Sequence, residues 1–399
     1  MQREILAQIL PLISTTVFVM GMVVGSFLNV VVWRLPRGES LLHPGSHCPK
    51  CGCAIPPWLN IPVCSWLLLR GRCARCGAPI SVRYPLVESA TGCLYLALWW
   101  RVWTGGLPLS VSWGYFFLGG ALLAAALIDL EHTIIPDAIT FTGMAAAVVF
   151  ALLWPASHLE QNLAGSAEGS HLILAWFLEH AGLENAPARL RALADVLLGI
   201  FFGYGMLRVL LEIGKRLWGT LRLSPEAPLE AVFTPRGLRL GEEPEEPWDI
   251  LLFRERDRGV VRVEQARLEF AGDRPPETIE RGEITVDKKG LRAGEQSWNW
   301  AEIRTVHARV TELRLPREVM GFGDLKLLAM IGAFLGADAT IFILMIAAAT
   351  GFVGGVVQVL LDRRRRHEPV PFGPFLAAAT LIWILGGHAI LGWYVRRIF

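Results

Sequence analysis

Four cysteines and two aspartates are the residues here whose types and spacing could do chemistry. Cys48-Pro49-Lys50-Cys51-Gly52 and Cys73-Ala74-Arg75-Cys76-Gly77 are two Cys-x-x-Cys knuckles, each closed by glycine. A small residue there lets backbone amides turn toward the thiolate sulfurs, and four soft ligands suit a tetrahedral zinc ion. A site closed by four protein sulfurs has no open position for substrate, so the zinc expected at Cys48, Cys51, Cys73 and Cys76 is structural. Cys53 and Cys64 are alternative ligands, and Cys93, within an apolar stretch, is assigned to packing. Reduced, unliganded thiols are the plain alternative.

The aspartates sit where ionisable groups are scarce. Asp129 ends an apolar run in Ala126-Leu127-Ile128-Asp129-Leu130-Glu131-His132, and Asp324 opens another in Met320-Gly321-Phe322-Gly323-Asp324-Leu325-Lys326. An ionisable residue at such a place is a functional candidate. Two carboxyls brought close share one proton. The ionised member can then take a proton from water while the other donates to a carbonyl, which is peptide hydrolysis without a covalent intermediate. Gly321 and Gly323 would let an extended substrate backbone approach Asp324. Lys326 is expected beside Asp324 or at lipid headgroups, Asp137 as a helix N-cap, and Glu131 in solvent. Taken singly, each aspartate also reads as an ordinary cap or an interfacial ion-pair partner.

The elements that position these groups are membrane helices. Of 399 residues, 53% are hydrophobic and 19% charged, where a soluble chain carries about a quarter charged. The 15 Trp and 19 Phe exceed what a water-facing surface hides easily, and a net charge of +2 discriminates little between partners. Apolar runs at 9–33, 85–104, 109–130, 136–154, 192–214, 322–336, 338–361 and 372–395 give about eight transmembrane helices. The first run lacks a basic start and a small-residue cleavage site, so it is expected to be retained. Basic residues at Arg34, Arg37, Lys50, Arg70, Arg72, Arg75, Arg83, Lys215, Arg216 and Arg363 to Arg366 put those loops, and both aspartates, on the cytoplasmic side; Arg396 and Arg397 go against the rule.

The fold class expected is therefore an α-helical polytopic membrane protein with a cytoplasmic zinc-ribbon loop and a small β-rich cytoplasmic insertion. Its parts are a first helix (1–33), the zinc loop (34–84), helices two to five with Asp129 (85–219), the insertion (220–316) and helices six to eight with Asp324 (317–399). The insertion shows alternating stretches such as Val260-Val261-Arg262-Val263 and Glu283-Ile284-Thr285-Val286 between Gly, Asp and Pro. No internal repeat stands out.

Taken in order, several segments resemble the prepilin peptidase family, the type IV leader peptidases. They are Gly25-Ser26-Phe27-Leu28-Asn29-Val30 through Arg34-Leu35-Pro36, the double Cys-x-x-Cys loop, and Arg83-Tyr84-Pro85-Leu86-Val87-Glu88. The Asp129 segment, Gly321 to Lys326 and Pro371-Phe372-Gly373-Pro374-Phe375 follow. The resemblance implies that Asp129 and Asp324 are the catalytic pair of a Gly-x-Gly-Asp membrane aspartyl protease. Its substrates would be type IV prepilin or pseudopilin precursors with a basic leader, cut at the cytoplasmic face of the bacterial inner membrane. The resemblance also implies methylation of the new amino terminus with S-adenosylmethionine, for which Asn29 and Glu88 are candidate residues and no nucleotide-binding turn is visible. Membrane lipid and the pilus or type II secretion machinery are the other expected partners; nucleic acid is not. The insertion departs from the family pattern, in which a short loop joins these helices.

Two other functions compete. A membrane-tethered zinc-ribbon assembly protein without catalysis would depend on Cys48 and not on Asp129. An ion transporter would hold its carboxylates near the bilayer midplane, whereas both aspartates fall at helix ends.

Overall fold

The computed structural model describes residues 2–163, 172–225, 227–252, 257–272, 274–316, 321–361, 370–387 and 397. The chain divides into two compact units, Met1–Leu207 with Phe322–Phe399, and Arg208–Gly321.

The first unit is helical: α1 (Gln2–Arg34), α2 (Cys64–Leu68), α3 (Arg83–Thr104), α4 (Val111–His132), α5 (Asp137–Leu153), α6 (Pro155–Leu163), α7 (Leu172–His180) and α8 (Ala188–Trp218), which runs on into the second unit. After the second unit, which holds α9 (Trp248–Leu251), come α10 (Phe322–Leu361) and α11 (Gly373–Ile382). Among the described residues four helices are long and apolar enough to cross a bilayer: Ile9–Arg37, Val111–His132, Ala188–Arg216 and Phe322–Leu361. Asp137–Leu153 and Gly373–Gly387 are apolar but shorter. The sixth and seventh expected spans are one helix interrupted at Gly336, whose φ of 80° and ψ of 172° no helix accommodates. The end of the eighth, 388–395, lies outside the described residues.

Helices in hydrocarbon associate through close backbone approach rather than a hydrophobic drive. Two Gly-x-x-x-Gly pairs provide it. A Cβ at Gly21 would meet Gly92 Cα at 2.8 Å, and one at Gly25 would meet Glu88 Cα at 2.8 Å, so α1 and α3 touch backbone to backbone. Gly199 and Gly203 of α8 lie in the same way against the Gly332 and Leu328 carbonyls of α10.

The second unit is an antiparallel sheet of nine strands: β1 (Thr220–Leu223), β2 (Leu229–Phe233), β3 (Gly237–Leu240), β4 (Glu246–Pro247), β5 (Gly259–Phe270), β6 (Glu277–Val286), β7 (Gly290–Ala293), β8 (Gln296–Asn299) and β9 (Ile303–Pro316). The order is β4-β3-β2-β9-β5-β6-β7-β8, with β1 also on β9. The two stretches whose alternation signalled strands are direct partners, Val261 facing Ile284 and Arg262 facing Glu283.

That strand order is a palindrome, and it corrects the expectation of no repeat. Gly237-Leu238-Arg239-Leu240-Gly241-Glu242 matches Gly290-Leu291-Arg292-Ala293-Gly294-Glu295, and Val261-Arg262-Val263 matches Ala308-Arg309-Val310. The contacts match as well. Trp248 donates its backbone N–H to Arg236 O (3.1 Å) and its indole N–H to Thr234 O (2.8 Å); Trp300 donates to Lys289 O (3.1 Å) and Asp287 O (2.9 Å). Thr234 Oγ1 and Asp287 Oδ1 cap the two equivalent turns. The unit is thus two copies of a hairpin–Trp–strand repeat, each hairpin pairing with the other copy's long strand, β2 with β9 and β6 with β5. The two tryptophans stack at 5.2 Å where the copies meet. Trp300→Ala is expected to destabilise this unit by about 3–5 kcal/mol, read as a lower denaturant midpoint for hydrogen exchange in β5 and β9. An unchanged midpoint would show that the stacked pair contributes nothing to the core.

Candidate active site and metal centre

The cysteine knuckles fold as the same turn twice. Gly52 N–H donates to Cys48 O and Cys48 N–H to Cys53 O; Gly77 N–H donates to Cys73 O and Cys73 N–H to Ala78 O, all at 2.8–2.9 Å. Gly52 and Gly77 both take φ of 69°, a left-handed conformation that favours glycine. The two turns bring the sulfurs of Cys48, Cys51, Cys73 and Cys76 within 4.8 Å of one another, and Cys48 Sγ lies 3.8 Å from Cys76 Sγ. Sulfurs about 2.3 Å from a central zinc stand about 3.8 Å apart, so the donor set fits. Backbone N–H groups of Cys51 and Lys50 lower the Cys48 thiol, and those of Cys76 and Arg75 bring Cys73 down to about 6, which prepares the first sulfur of each knuckle to bind as thiolate. Cys53 and Cys64 lie outside the cluster, and Cys93 is exposed on α3 rather than packed.

Buried polar groups anchor the loop at its ends and middle. Arg34 donates to the Ser40 and Pro44 carbonyls (3.0 and 2.7 Å), and Asn29 donates to Tyr84 O at 3.2 Å. Glu88 Oε2 accepts the Val63 N–H at 2.7 Å. Val63 has φ of 62° and ψ of −52°, and Cys64 N–H closes a turn back to Pro62 O at 2.6 Å. This is a positive-φ γ-turn, strained for a β-branched residue and costing about 1–3 kcal/mol. Asn29 and Glu88 therefore both tie the loop to the helices.

Asp129 and Asp324 are 5% and 7% exposed, among the few buried carboxylates of the described residues. Asp129 lies in the last turn of α4, which Thr133 ends in a left-handed conformation with its N–H on Asp129 O (2.8 Å). Asp324 lies in the first turn of α10. Ile135, in the short α4–α5 connection, sits between their surroundings. A Cβ at Gly323 would fall 2.8 Å from Ile135 Cβ, and one at Gly373 would fall 3.1 Å from Ile135 Cδ1 and 2.8 Å from Asp129 Oδ2. Gly373 also donates its N–H to Asp129 Oδ2 at 2.9 Å. The aspartate-bearing segments and the start of α11 thus share one isoleucine as a wedge.

Some expectations change here. Gly323 admits the α4–α5 connection, not open space for a substrate, whereas Gly321 is exposed just ahead of the helix. Lys326 Nζ pairs with Asp137 Oδ1 at 2.5 Å and lies over the Phe141 ring, so it clamps α10 to α5. Pro136, not Asp137, occupies the N-cap of α5, and Glu131 pairs with Arg83 instead of standing free in solvent. Gly373 stands out in the sequence only as part of the 371–375 segment, and Ile135 carries no signal beyond being apolar. A cavity of about 320 Å³ is lined by Phe177, Leu183, Leu190, Leu193, Ala194, Leu197 and Leu198. Those side chains offer nothing to the charged amino-acid end or the ribose of S-adenosylmethionine, so the cavity does not fit that group.

A family model described as the bacterial peptidase A24 N-terminal domain matches residues 19–102, and one described as the type IV leader peptidase family matches residues 306–356. The first spans Asn29, the four knuckle cysteines and Glu88; the second spans Asp324, and Asp129 lies between them. The chain is 44% identical over 160 residues to a prepilin leader peptidase/N-methyltransferase of Myxococcus xanthus, covering 40% of this chain and 46% of that relative. It is 28% identical over 403 residues to the protein of that name in Pseudomonas aeruginosa (94% of this chain, 91% of the relative) and 27% over 404 residues to that of Stutzerimonas stutzeri (95% and 92%). No solved structure matches. With both family models matched in chain order around the cysteine knuckles and the Gly-x-Gly-Asp turn, the chain is similar to the type IV leader peptidase family at both ends of its length.

Proposed function

We propose that this protein cleaves the basic leader from type IV prepilin-like precursors and methylates the amino terminus that cleavage exposes. The relatives' shared name, prepilin leader peptidase/N-methyltransferase, supports both activities. For the proteolysis, the carrying observation is that Asp129 and Asp324, buried at the ends of apolar helices, have surroundings that converge on Ile135. One carboxylate takes a proton from water, whose oxygen attacks the scissile carbonyl carbon, while the other carboxyl protonates the carbonyl oxygen. Collapse of the tetrahedral adduct breaks the C–N bond and delivers a proton to the leaving amine. Methyl transfer would draw on S-adenosylmethionine as donor. The four-sulfur cluster would hold a structural zinc and shape the loop that carries it.

In this reading the chain sits in the bacterial inner membrane with about eight spans, the break at Gly336 separating the sixth from the seventh. The zinc loop, the β unit and both aspartates face the cytoplasm, and a precursor reaches them laterally with its apolar helix still in lipid. Pseudopilins and the pilus or secretion machinery are partners of the same logic. The test is cleavage of a prepilin in membranes by wild type, Asp129→Asn and Asp324→Asn at equal expression.

The wedge makes its own prediction. Gly323→Ala pushes the first turn of α10 off Ile135, and a displacement of about 1 Å costs on the order of 10²-fold in rate. Cleavage by Gly323→Ala is expected to fall by about that factor at unchanged zinc content. Full activity would show that the contact does not position Asp324.

A further inference from the structure

The two oxygens of the Asp129 carboxylate are not equivalent. Oδ2 accepts the Gly373 N–H at 2.9 Å, buried, across 244 residues of chain. Among the described residues nothing donates to Oδ1. The donor is itself held still. Gly373 is the first residue of α11, Pro374 follows it, and the Phe375 and Leu376 N–H groups both bond Phe372 O at 3.1 Å. Proline fits a first helical turn because it gives up an N–H that has no partner there, and it sets the local backbone. No side chain is possible at 373 without displacing the carboxylate, since a Cβ would stand 2.8 Å from Oδ2 and 3.3 Å from Asp129 Cγ.

We propose that Gly373 is a positioning residue of the proteolytic centre: its N–H fixes Asp129 Oδ2, so that Oδ1 takes the proton from the attacking water and Asp324 protonates the scissile carbonyl. This rests on the aspartyl-protease reading above. The oxygen that already accepts an N–H is the poorer proton acceptor, and the same bond stops the carboxylate from exchanging its two oxygens by rotation. In this proposal Gly373 acts only through Asp129.

The test compares wild type, Gly373→Ala, Asp129→Asn, the pair combined, and Gly373→Ala with Ile135→Val, each as the full chain in lipid. Two substrates are used: a prepilin for cleavage, and a leader-free pilin with S-adenosylmethionine for methylation, which reports on the folded enzyme independently of Asp129. Gly373→Ala is expected to lower kcat for cleavage by about 10²-fold. KM and the methylation rate should stay within about twofold of wild type, because a displaced Asp129 carboxylate slows the proton transfer and leaves ground-state binding as it was. On the Asp129→Asn background the same change should add nothing. Ile135→Val removes Cδ1, the other atom a new Cβ would crowd, and should leave cleavage slow. Cleavage restored by Ile135→Val, methylation falling in step with cleavage, or cleavage unchanged in Gly373→Ala would each overturn the proposal. Asp129→Asn cleaving at the wild-type rate would instead remove the aspartyl reading itself.

Discussion

Asp129→Asn and Asp324→Asn are each expected to abolish precursor cleavage, with a rate loss of about 10³-fold or more, while the protein remains folded and zinc-replete. Asparagine keeps the shape of the side chain and at Asp129 can still accept the Gly373 N–H, so the variant isolates proton transfer from packing. General acid–base catalysis by one positioned group contributes about 10²–10⁴-fold. In the proposed mechanism the two carboxyls act through one shared proton, so losing either member removes most of what the pair supplies. The double variant should consequently be scarcely slower than either single one, as is found for catalytic groups that act as a unit. The measurement is the mobility shift of a prepilin in membranes holding equal amounts of each enzyme, with methylation of a leader-free pilin as the control for folding. Cleavage within about tenfold of wild type in either variant would take that residue out of the mechanism.

How far the sequence disclosed this arrangement depended on chain separation. The cysteine tetrad was legible because each knuckle is local: four residues and a glycine determine the turn, and two turns determine the cluster. Asp129 and Asp324 were legible as candidates because a carboxylate at the end of an apolar run is costly and therefore rare. What holds them was not legible. The Gly373 N–H reaches Asp129 over 244 residues and Lys326 reaches Asp137 over 189, and no spacing rule links such positions. Gly323 was misread for a related reason. Glycine signals close approach, but sequence cannot say whether the neighbour is a substrate or, as here, Ile135. The repeat in the β unit escaped because its copies keep the turn glycines and the arginine alternation but little else, and the insertion of α9 puts them out of register. The palindromic strand order exposes it at once.

Stripping the metal, by chelation or by Cys76→Ser, is expected to unfold the loop around residues 46–80 and leave the helices intact. Between Leu35 and Tyr84 only Cys48, Ser65 and Gly71 are buried, while Leu42, Trp58, Ile61, Leu67 and Leu68 are exposed. A segment with so little apolar burial has almost no hydrophobic stabilisation to set against the backbone entropy of ordering it, about 1–2 kcal/mol per residue. The Arg34, Asn29 and Glu88 hydrogen bonds secure its base without involving a knuckle cysteine, and the Glu88 bond is set against the strain at Val63. Zinc bound by four thiolates supplies about 10–16 kcal/mol in small folds of this kind, enough to decide the outcome. Wild type should carry about one zinc per chain. Metal-free protein should be cut rapidly by trypsin at Lys50, Arg70, Arg72 and Arg75, positions that the two turns otherwise restrain. Protein that is active, folded and resistant at those sites with no zinc would show that hydrogen bonding alone closes the knuckles. Loss of the loop together with loss of cleavage would instead tie the metal to the aspartates, through the helix α3 that carries both Glu88 and Arg83.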